Sequence, residues 1–158
     1  MVFPDLTRFT AKYASLLSDS SVLGYYFHLY IDRRFFKDFI PEIVDFYDET
    51  GQITDIKEEI VTVYIRNFQT YIPFEKYLTE EYYYGDYTKM NTYLVNRYQI
   101  PTTLDPNISN PGIKEVDYED VKQVLKELKT YMKVPEDTVK NVRVFDVEDL
   151  LFFLENAV

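Results

Sequence analysis

The chain has 158 residues, enough for about one domain, with 17 basic and 27 acidic side chains and a formal charge of −10. Cys and Trp are absent, while 16 Tyr and 12 Phe accompany only four Gly. This composition excludes a disulfide scaffold, a cysteine-ligated metal centre and a disordered acidic tail, and no apolar run approaches the ~18 residues of a membrane span.

Residues 4–18 read as a helix, because Leu6, Phe9, Tyr13 and Leu16 recur at spacings of three or four. The run 21–31 (SVLGYYFHLYI) is almost wholly apolar and aromatic, and it is expected as a buried strand. In that strand His28 alternates with Tyr26 and Tyr30, as a hydrogen-bonded core or half-buried histidine. Asp32 is the expected N-cap of the next helix, whose stripe is Phe35, Phe36, Phe39, Ile40, Ile43, Val44 and Tyr47. Pro41 should kink that helix and Gly51 end it. Residues 52–72 fit either state, and the β-branched run from Ile60 to Val63 favours a strand over 59–66. A helix is expected over 86–99, capped by Asp86, with Met90, Tyr93, Leu94 and Tyr98 on one side.

Residues 101–112 (PTTLDPNISNPG) hold three prolines and no periodicity, so a long loop should join 1–100 to 113–158 within one domain. Beyond it IKEVDYEDVKQVLKEL and VRVFDVEDLLFFLENA repeat at an offset of 29 residues. Asp117, Glu119, Asp120 and Leu125 align with Asp146, Glu148, Asp149 and Leu154. Each unit reads as a short strand, a D-x-E-D cap and a helix. The first Asp accepts from free N–H groups, and the next two acids meet the positive end of the helix dipole. The expected fold class is α+β, a helix-rich single domain with a small sheet.

A single histidine and no cysteine leave little room for a nucleophilic triad, and four scattered glycines build neither a phosphate loop nor a dinucleotide fingerprint. Carboxylates are plentiful. Oxygen-rich sites suit Mg²⁺ or Mn²⁺, which support phosphodiester hydrolysis. Asp45 followed by Asp55-x-Lys57 is similar to the acid…acid-x-Lys arrangement of many DNA nucleases, in which the acids hold metal and the lysine aids the nucleophile. Asp45 and Asp55 are therefore candidate metal ligands, and Asp55 and Lys57 candidate catalytic residues. The run from Glu80 to Asp86 (EEYYYGD) supplies Glu80, Glu81 and Asp86 as further catalytic candidates. Its Tyr82, Tyr83 and Tyr84 are candidate base-stacking residues. Arg33, Arg34 and Lys37 form the one compact basic cluster and are candidate phosphate contacts. The plainer reading makes Asp86 a helix cap, Glu80 and Glu81 solvated acids, the tyrosines packing residues and the basic cluster an ordinary helix face.

With its Tyr-rich runs YYFHLY and EEYYYGDY, its lack of cysteine and its short acidic chain, the sequence resembles the small orphan α+β proteins of crenarchaeal viruses. One such protein, of the Acidianus filamentous virus group, is a DNA nuclease with an essential glutamate. The resemblance implies a nucleic-acid enzyme that works through carboxylates and comes from a hot environment. A metal-assisted DNA nuclease is the expected function, although the net charge opposes DNA affinity. The alternative is a non-enzymatic acidic interaction protein, motivated by the net −6 of residues 41–60 and by more tyrosine than a core can hide. It would act as a decoy for a host nucleic-acid-binding protein or as a Tyr-rich docking module. A homodimer through the apolar run Leu150–Leu154 is a further expectation. The start, MVFPDLTRF, lacks the basic and apolar regions of a secretory leader, so an intracellular location in the host cytoplasm is expected.

Overall fold

A computed structural model describes residues 3–103, 110 and 112–157. The centre of the expected long loop, 104–109 and 111, lies outside the described residues. Two aspartates open the first helices. Asp5 accepts from the Arg8 N–H at the start of α1 (Leu6–Lys12), and Asp19 accepts from the Ser21 and Val22 N–H groups at the start of α2 (Ser20–Arg34).

Helix α2 replaces the strand expected over 21–31. Val22, Tyr25, Tyr26 and Leu29 stand at i, i+3, i+4 and i+7, and this face packs with Phe9, Tyr13 and Ile113 in a small core of its own. His28 falls at the edge of this face, its ring stacked on that of Tyr25. It is exposed, not half-buried in a core, and lies 3.5 Å from Asp32 one turn on. Asp32 is thus inside α2 and caps nothing.

The chain continues through a π-helical turn (Phe35–Phe39) into α3 (Ile40–Ile43), with the Ile40 N–H bonded to the Phe35 carbonyl. Pro41 lacks an N–H, and its ring would press on the carbonyl four residues back. The widened turn just before it makes room, so the kink takes the form of a bulge. Phe39, Ile40 and Ile43 are buried, as the stripe predicts. The helix ends at Ile43, eight residues short of Gly51, and Val44 begins a strand.

Strands β1 (Val44–Tyr47), β2 (Thr62–Ile65) and β3 (Thr70–Pro73) form one antiparallel sheet in that order. Of these, β2 lies inside the expected 59–66, and β3 was not foreseen. Val44 opposes Ile65, and Val63 lies between Phe46 and Ile72. Val44, Val63, Ile65 and Ile72 are buried. Asp45, Tyr47, Tyr64 and Tyr71 occupy the outer face, where the tilted Tyr64 and Tyr71 rings pack with centroids 4.5 Å apart. Gly51 belongs to the β1–β2 turn. Its φ of 80° suits a residue without Cβ, and the Asp48 carboxylate accepts from the Thr50 and Gln52 N–H groups around it.

Among the described residues, α4 (Phe74–Tyr77), α5 (Tyr83–Tyr98), α6 (Tyr118–Tyr131) and α7 (Val147–Asn156) follow, with a 3-10 helix (Glu136–Asn141) before α7. The two D-x-E-D caps form as expected. Asp117 accepts from the Glu119 N–H, and Asp146 from those of Glu148 and Asp149. The strands expected before them do not form. The N–H groups of Arg143, Val144 and Phe145 bond to Asp86 instead of a neighbouring strand, and the Lys114 N–H bonds to the Tyr13 hydroxyl.

The main core gathers α3, the inner sheet face, the start of α5 and the segment Val142–Leu150 around Phe145, which is fully buried. In α7, Leu150 and Leu151 are buried, while Phe152 is 71% exposed. The class is α+β, helix-rich with a small sheet, as expected. No helix among the described residues is long and apolar enough to cross a membrane.

Candidate functional site

The acidic tyrosine run folds into the turn between α4 and the first turn of α5. Asp86 sits inside that turn of α5 and not at its N-cap. Its carboxylate is fully buried and accepts from the Arg143, Val144 and Phe145 N–H groups at 2.7–3.2 Å, with Lys89 Nζ at 3.0 Å. Both oxygens are thereby committed to holding 143–145 against α5. Glu81 bonds Arg143 at 2.7 Å and Lys76 at 3.3 Å, and both cations lie over the Tyr82 ring. Glu81 and Tyr82 thus form a surface clasp between α4 and the same segment.

The other candidates lie apart from this clasp. Asp45 takes a two-pronged bond from Arg66 on the outer sheet face. Arg33 bonds the Pro4 carbonyl, while Arg34 bonds Asp38, Tyr30 and the Ala157 carbonyl, so these arginines tie the chain's two ends to α2. Among the described residues, no three His, Cys, Asp or Glu side chains are grouped to hold a metal.

The structure brings Glu80, Lys57, Tyr83 and Tyr84 together around a cavity of about 600 Å³. Its walls are the rings of Phe36, Phe46, Phe74 and Tyr77 with Ile40, Ile60 and Leu78, and α5 adds Tyr87, Thr88 and Asn91. Lys57 and Glu80 are exposed at its rim, and neither forms an ion pair among the described residues. A second cavity of about 520 Å³ shares Phe36, Ile40 and Phe46 with the first and is lined also by Lys37, Asp45 and Asp55. The β1–β2 loop contributes to both, with Asp55 in one and Lys57 in the other.

Four tyrosines line the larger cavity, and three of them, Tyr77, Tyr83 and Tyr87, lie close together. The Tyr83 and Tyr87 hydroxyls share a hydrogen bond of 2.7 Å, and the Tyr77 ring lies 5.2 Å from that of Tyr83. Burial pushes all three phenols above the usual tyrosine range, so they are neutral hydrogen-bond donors across the physiological pH range.

Sequence reasoning missed Tyr77, Tyr87, Thr88 and Asn91 as cavity residues. A signal existed: Tyr83, Tyr84, Tyr87, Thr88 and Asn91 stand at i, i+1, i+4, i+5 and i+8, one continuous face of a helix. The aromatic residues of the π-helical turn, β1 and α4 that close the cavity come from distant positions and carry no such signal. Comparison with known proteins gives no match: no family model fits the sequence, and no curated protein or solved structure is significantly similar.

Proposed function

We propose that the protein is a non-enzymatic binding protein that takes a small aromatic compound into the cavity beside α5. The observation that carries this reading is the cavity itself, about 600 Å³ with ring-lined walls and few polar groups. Ligand sites combine a concave apolar volume of this order with a small number of placed polar side chains. Here those are the tyrosine hydroxyls, Thr88 and Asn91, with Lys57 and Glu80 outside them at the rim. The chain lacks Trp, so the emission of added indole can be excited selectively. Indole titrated into the protein should shift its emission to the blue as it leaves water. Thr88→Phe, which fills the cavity from α5, should abolish that shift. A shift of unchanged size and midpoint in the variant would place the binding elsewhere and remove this reading.

A metal-dependent DNA nuclease is a second proposal, supported by the meeting of Lys57 and Glu80 with Tyr83 and Tyr84 at one cavity. On that reading, linear double-stranded DNA incubated at raised temperature with Mg²⁺ or Mn²⁺ is cut by the wild-type chain and not by Glu80→Gln. Equal cutting by both, or by neither, counts against it.

A further inference from the structure

Tyr77 has an unusual place in the cavity. The residue is only 3% exposed, and its hydroxyl finds no hydrogen-bond partner among the described residues. Among the described residues no fully sealed side-chain polar atom lacks a partner, so the Tyr77 hydroxyl keeps an accessible edge, and the residue lines the cavity. The bond between Tyr83 and Tyr87 uses one of that pair's two hydroxyl hydrogens. The cavity wall therefore offers donors that the protein itself does not satisfy, one at Tyr77 and one in the Tyr83–Tyr87 pair, of which Tyr87 reaches solvent. A ligand that covers them with hydrocarbon alone leaves a buried donor unpaired, whereas one that brings an acceptor supplies the bond. An ionised group is disfavoured at the same place, because the charged side chains that line the cavity, Lys57 and Glu80, stand at the exposed rim and the nearby buried Asp86 carboxylate is already paired with Lys89.

Building on the binding reading above, we propose that Tyr77 determines specificity. The cavity selects an uncharged ring that carries a hydrogen-bond acceptor, as in a phenol, an aryl ketone or an aryl amide, and holds the polar end of that ring at the Tyr77 hydroxyl.

The test uses p-cresol and toluene, two rings of similar size that differ by one hydroxyl, titrated calorimetrically into the wild-type chain and into Tyr77→Phe. In the variant the ratio of p-cresol affinity to toluene affinity should fall about tenfold, the scale of one lost hydrogen bond to a buried group. Toluene affinity and Tm should hold or rise, since the deleted hydroxyl has no protein partner. A residue with a merely structural role would lower Tm and leave the ratio alone. An unchanged ratio, with both rings bound, overturns the proposal and leaves the binding reading standing. Failure of the wild-type chain to bind either ring removes both. A nuclear Overhauser measurement on wild-type protein with p-cresol needs no variant. The ring protons beside the ligand hydroxyl should lie next to those of Tyr77, and the methyl end found there instead would overturn the assignment.

Discussion

Asp86→Ala should lower folding stability by about 3–5 kcal/mol, the range for removing one side of a buried, charge-assisted network. The carboxylate accepts from three consecutive backbone N–H groups, of Arg143, Val144 and Phe145, and from Lys89. Without it those donors are buried unpaired, and Lys89, whose side chain is 18% exposed, loses its counterion. Phe145 sits at the centre of the main core, so a loosened 143–145 segment unpacks the rings around it, including Tyr83 and Phe39. Asp86→Asn keeps the shape, but it places an amide N–H₂ where donors already converge. It should lower stability by about 2 kcal/mol. Urea unfolding followed by circular dichroism measures both. Midpoints equal to wild type would show that the 143–145 segment is held by packing alone.

Gly85→Ala is the second change with a large expected effect, and its sign runs against helix propensity. Within a helix, Ala in place of Gly ordinarily adds up to about 1 kcal/mol of stability. Here a Cβ would lie 1.8 Å from the carbonyl oxygen of Glu80 and 2.7 Å from its carbon. Those are backbone atoms and cannot swing away as a side chain can. The turn 79–82 would have to lift off α5, at a cost of about 3 kcal/mol. Because Glu80 stands at the cavity rim and Tyr82 in the clasp with Arg143, the variant should also lose indole affinity. A Tm at or above wild type would mean that the turn does not approach the helix so closely.

The legible parts of the fold are those whose cause lies within a few residues. Asp117 and Asp146 could be read as caps because a cap needs only its own helix's next two or three N–H groups. The stripe of Phe39, Ile40 and Ile43 was legible for the same reason. The segment 21–31 was misread because an apolar run has no single period when rings cover most of it. The decisive signs were Asp19 before it and the spacing of Val22, Tyr25, Tyr26 and Leu29 inside it. The strands expected before α6 and α7 failed for nonlocal reasons: before α7 a carboxylate nearly 60 residues earlier, Asp86, takes the N–H groups that a sheet would need, and before α6 the Lys114 N–H goes to the Tyr13 hydroxyl.

The candidate site divides along the same line. Composition already marked residues 80–86 as unusual, and Glu80, Tyr83 and Tyr84 do reach a cavity. Within that run, position in the fold separates acids that look alike. Asp86 is fully buried against backbone donors, Glu81 is held between two cations, and Glu80 stands at a rim without an ion pair among the described residues.

By itself, the sequence determined the α+β class, the capped C-terminal helices and an excess of aromatic side chains too large for one core. Only the tertiary structure decided where that excess goes. A ring's burial depends on which distant elements close over it. Phe36, Phe46, Phe74 and Tyr77 form one wall only after the bulged helix, the sheet and α4 have packed. Whether a carboxylate holds the fold together or faces a cavity is likewise set by the donors that packing brings to it, and the residue's neighbours in the chain do not specify those donors.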